Sequence, residues 1–212
     1  MKKYFVIALL AFMGITNAQV TYKPGIKAGL NLSRFTNTDA TTKTDFYIGG
    51  LFAIKFTKIY TLQPELIYSR QGANMQLDLS SLNPIDPNDP IFNQTSKVKY
   101  SLDYLALGII NKFTFGKGFQ VVVGPSIDFK IDDNFSENYA RNPIGFDLAL
   151  VAGLGYSFKS LTVEARLKQG LVDIFGDNYN NNVDNNNNGN YDEVVLNQLF
   201  QIGLSYTFNL KK

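Results

Sequence analysis

The 212-residue chain contains no cysteine and no histidine, and these absences remove a great deal of chemistry. Without Cys there is no disulfide framework and no lipidated cysteine behind an export signal. Without His there is no Ser-His-Asp or Cys-His catalysis and no His-ligated metal centre. A long apolar run is also missing. Phe5 to Met13 falls short of the ~20 residues that a membrane-spanning helix needs. Charge is nearly balanced, with 20 Lys and Arg against 18 Asp and Glu. A nucleic-acid binder normally carries a basic surplus, so no nucleic-acid partner is expected.

The N-terminal run does have the form of an export signal. Lys2 and Lys3 precede it, and Thr16-Asn17-Ala18 supplies small or turn-forming residues ahead of a cut before Gln19. Residues 1–18 are therefore expected to be a cleaved signal peptide. Loss of Lys2 and Lys3 takes the formal charge from +2 to zero. Residues 19–212 are expected to form one domain.

From Gln19 onward the apolar period is two. Ile26, Ala28, Leu30 and Leu32 alternate with Lys27, Gly29, Asn31 and Ser33. Phe46, Ile48, Phe52, Ile54 and Phe56 share the apolar face of a second segment. In a third, Leu62, Pro64, Leu66 and Tyr68 oppose Gln63, Glu65 and Ser69. Leu105, Leu107, Ile109 and Phe113 oppose Gly108 and Lys112. Phe119, Val121, Val123, Ile127 and Phe129 oppose Gln120, Gly124, Ser126, Asp128 and Lys130. Phe146 to Phe158 sets its apolar residues against Asp147, Gly153, Gly155 and Ser157. Leu161, Val163, Ala165 and Leu167 face away from Thr162, Glu164, Arg166 and Lys168. Phe200, Ile202, Leu204, Tyr206 and Phe208 complete an eighth segment.

Short connections at 57–60, 116–118 and 159–160 alternate with long polar ones at roughly 36–44, 72–99, 131–143 and 170–197. An even strand number with short turns at one end and long loops at the other is the pattern of an outer-membrane barrel. The predicted fold is all-β: an eight-stranded antiparallel up-and-down transmembrane β-barrel with short periplasmic turns and four long extracellular loops. Its termini are expected in the periplasm. A soluble exported ligand-binding barrel has the same alternation with the apolar face inward. Lipid on the apolar side is favoured by Gly, Ser and mixed charge on the polar face. Aromatics near the short turns (Phe56, Tyr60, Phe113, Phe115, Phe119, Phe158, Tyr206, Phe208) favour it too. Pro64 and Pro125 cannot donate to a ladder, and bulges or strand ends are expected there.

Five segments carry a family resemblance: "LQPELIYSRQGA" (62–73), "LDYLALGIINKF" (102–113), "VVVGPSIDF" (121–129), "FDLALVAGLGYSF" (146–158) and "VEARLKQGLVDI" (163–174). They resemble the outer-membrane β-barrel family of Bacteroidota, whose members are labelled PorT-like or porin-family proteins, here as an OmpA-type eight-stranded barrel. The resemblance spans the mature chain and implies barrel architecture without catalytic residues. Some relatives are implicated in a secretion machinery. Ala106 and Gly108 stand where that family often has an acidic residue and a proline.

Alternation turns Lys27, Lys55, Glu65, Lys112, Asp128, Glu164, Arg166 and Lys168 inward. An eight-stranded barrel is just wide enough to be filled by side chains. Charges buried there must pair, either as a salt-bridged plug or as the lining of a narrow ion or solute conduit. Asp132-Asp133 is the remaining carboxylate pair, and adjacent loop acids are ordinarily solvated, so no enzymatic activity is expected.

The long connections hold twelve acids (Asp39, Asp78, Asp86, Asp89, Asp132, Asp133, Glu137, Asp173, Asp177, Asp184, Asp192 and Glu193) against Lys43, Lys97, Lys99 and Arg141. The outer end is thus expected to be acidic. Pro84, Pro87 and Pro90 stiffen the second long connection, whose apolar Ile85, Ile91 and Phe92 are expected to pack on the barrel mouth or on a partner. In "VDNNNNGNYDEVVLNQLF" (183–200), Asp184, Asn186, Asn188, Asn190 and Asp192 are spaced as candidate calcium ligands, with Gly189 at the turn. Val195 stands where a bidentate Glu belongs. A weak Ca2+ loop and an Asn-rich turn that satisfies its own backbone both remain open, and no other cofactor is expected. The expected surroundings are outer-membrane lipid and lipopolysaccharide, with an envelope protein as candidate partner. The expected role is structural or interactive, as an accessory to a secretion or uptake complex.

Overall fold

The computed structural model describes residues 20–78, 95–135, 142–176 and 194–209. They form eight strands: β1 (Thr21–Phe35), β2 (Thr41–Lys55), β3 (Tyr60–Asp78), β4 (Thr95–Phe115), β5 (Phe119–Asp133), β6 (Phe146–Phe158), β7 (Leu161–Gly170) and β8 (Asn197–Thr207). Each is antiparallel to its chain neighbours, and β8 pairs with β1 to close the barrel. Closure leaves no sheet edge, and that is the condition for strands to cross hydrocarbon, where no water can satisfy a backbone N–H or C=O.

The two faces are inverted relative to a soluble barrel. Outward residues such as Ile26, Ile48, Leu107, Leu150, Leu167 and Leu204 are about half exposed, while Lys27, Glu65, Asp128, Glu164 and Arg166 are buried. A soluble eight-stranded barrel hides its apolar face instead. At the short-turn end the outward aromatics meet in pairs: Phe56–Tyr60 at 5.8 Å, Tyr60–Phe113 at 5.5 Å, Tyr156–Phe158 at 4.6 Å and Tyr206–Phe208 at 5.3 Å between ring centroids. They form an interfacial girdle on one rim of the apolar band.

Of the two prolines, Pro64 lies near a strand end as expected and Pro125 does not, and neither sits at a register shift. Pro64 pairs with Ile109 four residues into the 19-residue β3, near its short-turn end. On its other side the β2–β3 ladder skips from Leu51↔Glu65 to Ile54↔Leu62 without changing register. Pro125 likewise pairs with Leu150, while the β4–β5 ladder skips from Gly108↔Ser126 to Asn111↔Val123. Each proline forfeits ladder bonds on one side, and the long strands hold register around the gap. The register shifts lie elsewhere, between Thr42 and Tyr47 on β2 and between Asp103 and Tyr104 on β4.

The long-loop end also departs from expectation. β2 begins at Thr41, so the first connection is 36–40 and Lys43 is a buried strand residue. β3 and β4 stay paired from Met75↔Val98 to Asp78↔Thr95, beyond Thr41↔Asn74 where β2 stops pairing. Asp78 and Lys97 therefore stand on a projecting hairpin, with Lys99 at its base opposite Asn74. There the alternation is inverted: Val98 and Tyr100 pack inward with Met75 while Lys97 and Lys99 are exposed, so the segment lacks the apolar outer face that marks a lipid-facing strand.

Leu107→Arg places a guanidinium in the middle of the apolar band. It is expected to cost about 2–4 kcal/mol of folding free energy in lipid vesicles, measured by reversible denaturant titration. A cost near zero would mean that this face meets water.

Candidate functional site

The interior is built in layers, because successive inward positions on tilted strands stack up the barrel axis. The lowest polar layer is neutral: Gln120 Nε2 donates to Ser157 Oγ at 2.7 Å, and Ser157 Oγ lies 2.7 Å from Thr162 Oγ1. Above it, charges from β1, β3, β4 and β7 converge. Arg166 Nη1 and Nη2 donate to Glu65 Oε2 and Oε1, both at 2.8 Å. Such bidentate pairs are the strongest geometry available to these groups. Arg166 Nη2 is also 2.7 Å from Glu164 Oε2, its neighbour two residues back. Lys27 and Lys112 close on the two oxygens of Glu164 at 2.8 and 2.9 Å. Gln63 Nε2 donates to Glu65 Oε1 at 2.6 Å. Strands β3 and β7 stand opposite each other in the ring, so the Arg166–Glu65 pair crosses the lumen.

Tyr47 packs against this cluster from the long-loop side, with Lys27 Nζ 5.7 Å from its ring centroid. The tyrosine reaches that position because Gly29 and Gly203, cross-strand partners on β1 and β8, present no side chain. A Cβ at either would run into its hydroxyl.

A second charged layer sits towards the long-loop end. Lys168 pairs with Asp128, which also accepts from Ser126 Oγ at 2.6 Å and Gln71 Nε2 at 3.2 Å. Asn31 donates through Nδ2 to Ser69 Oγ at 2.9 Å and accepts through Oδ1 from Gln201 Nε2 at 2.8 Å. A cavity of about 30 Å³ remains between the two layers, enough for about two waters.

Of the inward charges expected from alternation, Lys27, Glu65, Lys112, Glu164 and Arg166 lie in one cluster and Asp128 and Lys168 in the next. Lys55 belongs to neither: it has the inward parity but lies at the last residue of β2, exposed at the short-turn mouth. Water solvates it there, so no partner is required. Two buried charges were not in the expected set. Lys43 pairs with Asp45 and donates to Ser101 Oγ at 2.8 Å. Asp147, on the polar face of β6, lies directly opposite Asp128 in register and accepts from Val172 N at 3.3 Å. With Asp147 included, the two layers hold four cations (Lys27, Lys112, Arg166, Lys168) and four carboxylates (Glu65, Asp128, Asp147, Glu164).

Alternation did not reveal the third layer, which is apolar. Phe35, Ala73, Tyr100, Leu102 and Tyr104 line the wall near the long-loop mouth, and Phe135 and Ile174 fold in from the connections. The Phe135 ring packs at a tilt 4.7 Å from Tyr100 and 6.2 Å from Phe35 between centroids. Backbone bonds tie the connections across the mouth: Ile174 N to Val195 O at 2.8 Å, Ile144 N to Ile174 O at 2.7 Å and Thr36 N to Leu196 O at 2.9 Å. The interior is therefore polar below and a small hydrophobic core above.

The candidate calcium ligands Asp184, Asn186, Asn188, Asn190 and Asp192, the signal residues 1–18 and the apolar residues Ile85, Ile91 and Phe92 lie outside the described residues. Among the described residues no cluster of carboxylates is arranged to hold a metal.

Removing one member of a buried ion cluster leaves the others uncompensated. Glu164→Gln strips Lys112 of its carboxylate and leaves Lys27 only Glu65 Oε1, at 3.7 Å. It is expected to destabilise the barrel by about 3–5 kcal/mol. Adding Lys112→Met should recover part of that loss, which a double-mutant cycle on refolding free energies would read as strong coupling. Additive losses would mean that the cluster does not act as a unit.

A search among curated proteins finds no match. Solved structures with a similar chain path include Ail, the attachment invasion locus protein of Yersinia pestis. It is 12% identical, with 88% of this chain and 98% of that one covered and a TM-score of 0.45. Neisserial surface protein A is 9% identical, with 90% and 99% covered and a TM-score of 0.47. The model of the outer membrane protein β-barrel domain matches residues 17–176. With that match spanning most of a closed, outwardly apolar barrel, the chain belongs to the outer-membrane β-barrel domain family and is an outer-membrane protein.

Proposed function

We propose that this protein is a closed, non-conducting barrel whose role in the envelope is structural or interactive, presented through its long-loop end. The observation that carries this reading is the layered interior. The Arg166–Glu65 pair crosses the lumen, and the Phe35–Tyr100–Phe135 core fills the mouth above it. An ion crossing the barrel would have to break charge-assisted bonds at low dielectric and then traverse an apolar layer, which opposes the reading as a narrow pore. With no His and no Cys in the sequence, the chemistry we infer for the loop end is binding. The acidic composition of the long connections suits a cationic or basic partner. Likeness to PorT-like proteins of Bacteroidota supports an accessory role beside a larger secretion or uptake complex. In this reading residues 1–18 are removed on export and both termini face the periplasm.

Purified protein in planar bilayers is expected to show no stable single-channel steps. Reproducible steps would overturn the closed-barrel reading. Orientation is tested separately, since the absence of Cys makes introduced thiols unambiguous. Asp39→Cys should react with a membrane-impermeant maleimide on intact cells, and Lys117→Cys only after the outer membrane is permeabilised. The reverse pattern would invert the assignment.

A further inference from the structure

The outward face carries a site that a closed-barrel role does not use. At the register shift between Thr42 and Tyr47, β2 pulls away from β3. A groove of about 300 Å³ opens over the gap, lined by Lys43, Asp45, Arg70, Asn74, Lys99 and Ser101. That volume is at the lower end of small-molecule sites, ~300–1,000 Å³. Lys43 and Asp45 pair across its floor, and Lys43 is held further by Gln71 O at 3.3 Å and Ser101 Oγ at 2.8 Å. The rim is less satisfied. Arg70 Nε lies 3.2 Å from Asp103 Oδ1 and 3.9 Å from Asp45 Oδ1, yet its side chain remains 42% exposed. Its Nε is buried and makes no hydrogen bond, so the exposed part of the side chain is what a ligand meets. Lys99 is exposed and forms no ion pair with a described carboxylate. Asn74 Oδ1 is buried without a hydrogen-bond partner, and a group in that condition calls for an occupant that donates.

The height of the groove indicates what fills it. Along β3 the outward positions run Tyr60, Leu62, Pro64, Leu66, Tyr68, Arg70. Tyr60 belongs to the aromatic girdle at the short-turn rim. Arg70 is ten residues further on, which at ~3.3 Å per residue and a ~40° tilt is roughly 25 Å, the height of the apolar band. The groove therefore opens at the opposite interface, level with lipid headgroups. Directly below it Phe46 and Tyr68 pair at 5.9 Å, and Tyr68 Oη donates to Asp103 at 2.8 Å. Leu66, Leu105 and Leu107 continue downward as exposed apolar surface. Cations above an outward apolar wall match a molecule with phosphate and sugar at one end and acyl chains at the other.

We propose that the groove walled by Arg70, Lys99 and Asn74 binds the phosphorylated sugar headgroup of an outer-leaflet glycolipid, lipopolysaccharide. Arg70 and Lys99 hold a phosphate by charge-assisted hydrogen bonds. A sugar hydroxyl donates to Asn74 Oδ1, and the acyl chains lie along Tyr68 and Leu66. The choice of leaflet rests on the orientation proposed above; the contacts themselves do not. Bound lipid would anchor the projecting β3–β4 hairpin at the membrane surface.

The test titrates detergent-purified protein with lipopolysaccharide, the same glycolipid after enzymatic dephosphorylation, and inorganic phosphate. Native mass spectrometry counts bound lipid, and fluorescence anisotropy of a labelled glycolipid reads affinity. Wild type is expected to bind lipopolysaccharide about tenfold or more tightly than the dephosphorylated form. Arg70→Gln/Lys99→Gln should lose that preference while keeping the heat-modifiable gel shift of a folded barrel. Equal affinity of wild type for the two glycolipids would overturn the proposal, and that comparison needs no variant. Tight binding of inorganic phosphate without lipopolysaccharide binding would assign the groove to a soluble anion and equally overturn it. Binding in detergent is blind to orientation, so the maleimide experiment can fail while this one succeeds.

Discussion

Everything inside this barrel depends on the demand that a charge removed from water must find an opposite charge. Eight strands enclose a lumen too narrow for bulk solvent, and the chain directs four cations and four carboxylates into it. The two carboxylates of the lower cluster, Glu65 and Glu164, come from opposite sides of the ring and are bridged by Arg166. Lys27 and Lys112 complete the cluster from β1 and β4. One set of contacts thereby ties four strands together at a single height. A slip of one residue in any of them would send the charges into lipid and bring leucines inward. The cluster therefore sets register as well as filling space. Its net worth against an apolar filling is a separate question, since buried ion pairs recover their desolvation cost only with good geometry.

The backbone follows the same logic. Lipid forces closure, and closure forces every irregularity to be absorbed within the ring. Pro64 and Pro125 are absorbed as gaps in one ladder each, flanked by long runs of regular pairing. The two register shifts both fall towards the long-loop end. There water and polar side chains can satisfy the backbone, and the wall can open without cost to the hydrocarbon-spanning part. The groove over β2 is a consequence of that permissiveness. The projecting β3–β4 hairpin is another, being stable without a third strand because it continues a ladder already anchored in the barrel.

The change from ionic to apolar filling also follows height. At mid-barrel the wall is regular, and the inward positions of opposite strands can reach one another only with long side chains such as Lys, Arg and Glu. Near the long-loop mouth the connections fold back over the opening and deliver Phe135 and Ile174 from outside the strands. With loop residues able to enter, the space is filled as a soluble core would be, by aromatic and aliphatic packing. The result is a barrel stoppered twice, once by charge and once by hydrophobic contact.

Much of this was legible in the sequence. The period-two pattern identifies eight strands, and its polar positions include Lys27, Glu65, Lys112, Asp128, Glu164, Arg166 and Lys168, all of them buried in the barrel. The reason is that alternation is a local property, imposed residue by residue by a backbone that must put successive side chains on opposite faces. Height along the axis is different, because it depends on where neighbouring strands start and on their tilt. Only the assembled barrel decides that Lys55 reaches water, that Lys43 is buried, that Asp147 faces Asp128, and that Glu65 meets Arg166 across the lumen. The apolar stopper is of the same kind: Phe135 and Ile174 lie in connections without periodicity, and their burial exists only once the wall beneath them has closed.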